Sequence, residues 1–210
     1  MGFGFNTGTS YLNTQAFNLY TPGNVRNFKK EQFLLGADAF ATFDKCMIGF
    51  SAGLAKGDKI QNDTFDYSLS GGAFTFNWAY KLSTPKQWLC FPMLSAGFSA
   101  YGIGIDQKIQ AYQTEMVTQS RRNLHISNAG VVTDVSMNVY RLFQTPNIQP
   151  VVSDKKRFTP GIGLKLGYMY GFKNSSWTYT GGSVTEGPKF GMRMVYFKIC
   201  IGGISQSTLK

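Results

Sequence analysis

Histidine, cysteine and acid are all scarce in this chain: one His, three Cys and 11 Asp plus Glu in 210 residues. Each shortage removes a class of chemistry. The lone His125 leaves no histidine pair for a metal, and Cys46, Cys90 and Cys200 show no ligand spacing and leave one thiol odd. Neither a metal centre nor a disulfide framework is expected, and the cysteines read as small apolar fillers. No phosphate loop or dinucleotide fingerprint occurs, so no cofactor is expected. Charged residues make up only 15%, and 21 Lys plus Arg set a net charge of +10. The basic residues are scattered over strand ends and loops (Arg26, Lys29, Lys30, Lys86, Arg121, Arg122, Lys155) without a basic helix. Nucleic acid is therefore not the expected partner. At a membrane border such residues suit lipid phosphates, including those of lipopolysaccharide; otherwise they are a solvated surface.

Long apolar runs are also rare. Trp88 to Ile105 carries no charge over a length close to the minimum for a spanning helix, but Pro92, Gly97, Gly102 and Gly104 interrupt it. It reads as a strand, facing unsettled around Pro92. The opening MGFGFNTG has neither the basic start nor the apolar core of a signal peptide. The expectation is that Met1 stands before a mature sequence.

What the chain has in plenty is Gly 24, Phe 18 and Tyr 11. The pattern is sharpest in Phe158–Lys173. One alternate set is Phe158, Pro160, Ile162, Leu164, Leu166, Tyr168, Tyr170 and Phe172; the other is Thr159, Gly161, Gly163, Lys165, Gly167, Met169, Gly171 and Lys173. Period two means a strand with opposite faces. A glycine-and-lysine face makes a poor solvated exterior but fits a crowded lumen, so the apolar face is expected to point into lipid. A mean hydropathy of -0.15 is consistent with this, because alternating strands average out.

The same alternation marks a first strand at Gly2–Leu12, followed by a polar loop over 13–30. A hairpin follows, in which an Asp44-Lys45 turn sets Phe43 against Cys46 and Phe33 against Lys56. One parity is then apolar on both arms and the other mostly small or polar, with Leu34, Phe40 and Met47 as exceptions. A loop is expected at Gly57–Asp63. In strand four, Thr64–Leu82, Phe65, Tyr67 and Leu69 share one parity while Phe74, Phe76, Trp78 and Tyr80 share the other. A β-bulge at Gly71-Gly72 would account for the switch. Strand five is Gln87–Ile105, and a long external loop over 106–130 carries Arg121, Arg122 and His125. Strand six is Val131–Phe143, with Asp134, Ser136 and Asn138 inward. Strand seven is the stretch above. A Gly-rich loop with Trp177 then leads to strand eight, with Val195, Phe197, Ile199 and Ile201 outward. The expected fold is all-β: one domain over 1–210, an eight-stranded antiparallel up-and-down transmembrane β-barrel. A soluble lipocalin-like barrel is the alternative, with the faces reversed.

The segments GFGFNTGTSYLN, FLLGADAFATFDKCMIGFSAG, CFPMLSAGFSAYGIGI and GGSVTEGPKFGMRMVYFKICIGG resemble, in order, the small outer-membrane β-barrel proteins of Bacteroidota. The resemblance spans nearly the whole chain and lies in pattern and glycine placement. It implies an outer-membrane barrel of monomeric or accessory kind, in a family mostly without assigned function. Many such barrels end on an aromatic residue; here the chain runs on past Ile204 to Lys210, as a short tail or an added remnant.

In these registers Asp38, Asp134, Lys165 and Lys198 face inward. If Phe143 pairs with Phe158, Asp134 lies diagonal to Lys165, within reach of a salt bridge. The four read as a polar plug that holds the barrel together; a small pore is the alternative, though eight strands leave little room for one. Arg121, Arg122, His125 and Trp177 are candidate loop contacts for a partner, another outer-membrane protein among the possibilities. A lipid-modifying enzyme would need a base beside a serine. His125, with Ser120 and Ser127 near it in sequence, is the one place to look, and no nucleophile motif surrounds it. A non-enzymatic structural or interaction role is therefore expected.

Overall fold

The computed structural model describes residues 1–21, 25–82, 87–108, 123–143, 157–179 and 181–206. In chain order its elements are β1 (Gly2–Leu12), a single helical turn α1 (Gln15–Asn18), β2 (Glu31–Phe43), β3 (Cys46–Gln61), β4 (Phe65–Tyr80) and β5 (Trp88–Gln107). Then come β6 (Asn123–Leu142), β7 (Arg157–Gly171), the short β8 (Trp177–Tyr179) and β9 (Gly182–Val184), and β10 (Arg193–Gln206). The long strands pair antiparallel in the order β5-β4-β3-β2-β1-β10-β7-β6, and β6 pairs back onto β5. That last ladder closes an eight-stranded antiparallel barrel. The hairpin β8–β9 is an appendage joined to the barrel where Ile126 opposes Tyr179.

Side chains alternate along the strands, apart from one break in β3, and within the band the bulky apolar set is outside. Phe5, Leu54 and Phe98 are each 68% exposed, whereas Asn6, Asp38, Asp134 and Lys165 are at most 4% exposed. The reversed arrangement of a soluble ligand-binding barrel is thereby overturned. From Phe33 to Phe43 the outward positions of β2 are all Phe, Leu or Ala. At about 3.3 Å per residue and a tilt of about 40°, that face rises about 25 Å, the height of a lipid-facing band.

The β2–β3 hairpin has the expected register, Phe43 against Cys46 and Phe33 against Lys56, around a turn in which Asp44 takes a φ of 51°. β5 alternates without a break through Pro92, which faces out.

Four expectations need correction. β3 does not give way to a loop at Gly57 but runs to Gln61, and its ladder with β4 shifts register between Lys56 and Lys59. The bulge is there and not at Gly71-Gly72, where β4 keeps one register with β5 from Phe65 to Ala79. Tyr67 and Leu69 therefore share the inward face with Thr75, Asn77 and Ala79. The parity of the large residues changes because their surroundings change. Before Gly72, from Phe65 to Ser70, the strand lies above the apolar band, so Ser68 and Ser70 face out and the large residues turn in.

In the same way, residues 123–130 are not loop but the start of β6, which is paired with β5 from Asn123 to Arg141. Finally, the β6–β7 ladder sets Val132 against Gly171 and Asn138 against Lys165, two residues from the pairing expected from Phe143 and Phe158.

Candidate functional site

The lumen is filled in three layers. At mid-height Asp38 accepts hydrogen bonds from Asn6 Nδ2 at 2.8 Å and from Ser51 Oγ, and Asn77 Nδ2 donates to Ser51 at 2.6 Å. Lys165 Nζ crosses from β7 to Asp38 at 3.6 Å, both side chains being 3% exposed. The ion pair expected between Lys165 and Asp134 is thus made with Asp38 instead. Asp134 accepts from the Tyr196 hydroxyl at 3.0 and 2.8 Å. Lys198 stands directly opposite Lys165 and places its Nζ 5.0 Å from the centre of the Tyr196 ring. All four inward residues read from the sequence are therefore in one layer. Their partners are not the expected ones, because contacts across a lumen depend on how the barrel closes.

At the short-turn end, Met47, Leu89, Phe91, Met93 and Tyr140 form an apolar floor, with Phe91 stacked on Tyr140 at 5.9 Å. At the long-loop end, α1 drops Phe17 between Trp177 and Phe190, 5.7 and 4.6 Å between ring centres. Trp177 is 1% exposed and donates from Nε1 to the Pro188 carbonyl at 2.7 Å. This corrects the reading of Trp177 as a partner contact, since it is part of the seal. Nothing in its local sequence, NSSWTYTGG, distinguishes a plug from an exposed loop. Arg121 and Arg122 lie outside the described residues.

Glycines make room for these seals. Gly167, Gly163 and Gly71 stand directly opposite Tyr196, Tyr140 and Tyr101. A Cβ at any of the three would run into the opposing ring. The glycine face of β7 is therefore the space that the tyrosines of its neighbours occupy.

His125 is exposed on the outer wall of β6, not in a loop, and Ser127 is on the same face two residues on. Ser127 opposes Gly102 across the β5–β6 ladder, and a Cβ on Gly102 would lie 2.9 Å from Nε2 of His125. The imidazole thus lies over the residue that pairs with Ser127. The Ser127 hydroxyl is hydrogen-bonded to that of Thr178 at 2.8 Å.

Above the apolar band, Arg26 clasps Asp58 with two bonds of 2.7 and 3.1 Å, and Lys29 N–H donates to the same carboxylate at 3.2 Å. Partial burial pushes the Asp58 carboxyl up, but the Arg26 bonds, the Lys29 amide and the two positive charges outweigh it and hold the group below its ordinary value.

No family model matches the sequence, and no curated protein matches it. Several solved structures resemble the fold. Neisserial surface protein A aligns at 11% identity with a TM-score of 0.47, covering 96% of this chain and 95% of its own. A major outer membrane protein from Thermus thermophilus gives 11%, 0.46, 96% and 98%. Ail, the attachment invasion locus protein of Yersinia pestis, gives 9%, 0.40, 96% and 97%. Likeness at this level carries no function across, and the barrel assignment rests on the closed ladder itself. The resemblance to Bacteroidota barrels finds no support in these comparisons.

Proposed function

We propose that the protein is an integral β-barrel of a bacterial outer membrane with a non-enzymatic role, working through its outer wall and rim rather than through its lumen. The observation that carries this reading is the pairing of faces. An apolar exterior about 25 Å high surrounds a polar layer closed by aromatic residues at both ends. A chain that exposes Phe5, Leu54 and Phe98 at 68% needs a hydrocarbon phase around it. In this reading the turns at the chain-terminal end face the periplasm, and the basic residues of the opposite end meet lipid phosphates, lipopolysaccharide or another outer-membrane protein. The seals argue against the small pore.

The test is heat-modifiable gel mobility together with bilayer conductance. A detergent-dependent protein that runs compact until boiled and gives no unitary current fits the reading. Monodispersity in plain buffer would overturn the membrane reading, and a discrete conductance would restore the pore.

A second reading, a lipid-ester hydrolase, is favoured by one observation. His125 and Ser127 share an outward face at the upper edge of the band, where ester bonds of membrane lipids lie. There the imidazole would take the proton of Ser127 as the hydroxyl attacks an ester carbonyl and pass it to the departing glycerol oxygen, and water would then cleave the acyl-serine to free the fatty acid and restore the hydroxyl. Incubating the refolded protein and its His125→Ala variant with phosphorylated diacyl lipid decides it: equal fatty-acid release from both ends the reading.

A further inference from the structure

The outer wall is not evenly padded. At one level Leu35, Leu54, Gly72, Ala100 and Ala129 stand side by side on β2 to β6, each directly opposite the next. One step lower, Ala37 and Ala52 are followed by Phe74 and Phe98. One step higher come Lys56, Ser70, Gly102 and Ser127. Bulk on the aliphatic and aromatic positions and its lack on the others leave a groove in the wall. A lower apolar section of about 690 Å³ is walled by Phe5, Phe74 and Phe98, and an upper section of about 660 Å³ is bordered by Lys56, Lys59, Ser70 and His125. The two share Leu35, Leu54 and Ala100, so they form one depression running from the rim into the band.

We propose that this groove seats a phosphorylated lipid of the leaflet at the long-loop end, with an acyl chain on the Ala37–Ala52–Ala100 floor and the phosphate at Lys56. The proposal rests on the membrane reading above. Hydrocarbon must fill a notch facing lipid, since its lining would otherwise lose its contacts. The charges select the head. Asp58 is taken by Arg26, and Lys59 is paired with Asp66 at 3.1 Å, whereas Lys56 has no ion pair among the described residues. Lys56 also stands between Phe33 and Ser70, directly above the apolar section. A cation over an apolar slot, with the hydroxyl of Ser70 beside it, is complementary to an anionic head on an acyl chain. A neutral lipid would leave that cation unmatched. A second barrel seated on the wall would have to present an aliphatic ridge under an acid.

The test uses the whole chain refolded in detergent, with phosphatidic acid and diacylglycerol of equal chain length as probes and bound lipid read by native mass spectrometry. Wild-type protein is expected to retain the phosphorylated lipid over the neutral one. Ala100→Phe, which fills the floor from the lipid side, should abolish retention of both. Lys56→Glu should weaken phosphatidic acid about fivefold or more, while leaving diacylglycerol unchanged. Equal retention of both lipids by wild type, or unchanged retention in Ala100→Phe, overturns the proposal. So does a wild-type dimer that Ala100→Phe dissociates, which would make the occupant a second copy. Heat-modifiable mobility is recorded for each variant. A wild-type protein that needs no detergent brings down the membrane reading itself, whereas a detergent-dependent, compact barrel with indifferent variants brings down the groove alone.

Discussion

Lys165 on β7 and Asp38 on β2 meet inside the barrel at 3.6 Å although they belong to strands that are not neighbours. Both are withdrawn from water, so the pair matters less for what it adds than for what is left when one half goes. Lys165→Met should cost about 3–5 kcal/mol, because it leaves a buried carboxylate with only neutral donors. The double change Lys165→Met with Asp38→Asn should cost clearly less than the single one. Urea unfolding in detergent micelles, followed by tryptophan fluorescence, measures both. Equal losses would mean that the ion pair is not what holds this layer.

Gly167 supplies the space for Tyr196, and that space should be readable as a coupling. Gly167→Ala sets a methyl group against the phenol and the Ser136 side chain, and overpacking of this kind costs about 1–3 kcal/mol. In a Tyr196→Ser background the same change should cost much less, although Tyr196→Ser itself loses the bonds to Asp134. A double-mutant cycle in the same unfolding assay checks this, with additive losses as the failing result.

The lipid-facing band was legible because lipid imposes one rule over its whole height: large and apolar outside, small or polar inside. Period two therefore assigned strands, faces and the β2–β3 register, and it placed Asp38, Asp134, Lys165 and Lys198 in the lumen. Past the upper edge of the band water replaces lipid, the rule inverts, and the same alternation carries the opposite meaning. Tyr67 and Leu69 then imitate a bulge, and the polar-out sequence around His125 imitates a loop. The β6–β7 register was hidden for another reason. A long connection does not fix register as a two-residue turn does; here the fit of the Tyr140 ring over Gly163 is the visible constraint. Only closure of the barrel brings Lys165 to Asp38, and no local pattern records it.

Trp177 illustrates the difference between a loop residue and a plug. Its ring is wedged against Phe17, Tyr20 and Phe190 and capped by the Pro188 carbonyl. Trp177→Ala should therefore behave as a core truncation, costing about 3–5 kcal/mol. It should still give no unitary conductance, because the Phe91–Tyr140 floor at the other end is untouched. Denaturant titration and planar-bilayer recording test the two halves separately. A neutral effect on stability would return Trp177 to the surface.

Asp58 ties the first long loop to β3, and its carboxyl is held below its ordinary value even though partial burial works against that. A carboxylate with a depressed folded value contributes stability above its unfolded value, and loses it as pH falls through the folded one. The clasp should accordingly be intact at neutral pH and loosen only below about pH 4. The Lys29 amide, which donates to Asp58, reports the change most directly. Its hydrogen-exchange protection, corrected for intrinsic rate, should be flat from pH 7 to pH 5 and fall at lower pH. In Asp58→Asn, protection should be lower at pH 7 and lack the acid step. Protection that rises on acidification, or the same acid step in Asp58→Asn, would assign the loop's anchoring to other groups, such as the bond from Thr14 Oγ1 to the Phe28 carbonyl at 3.2 Å.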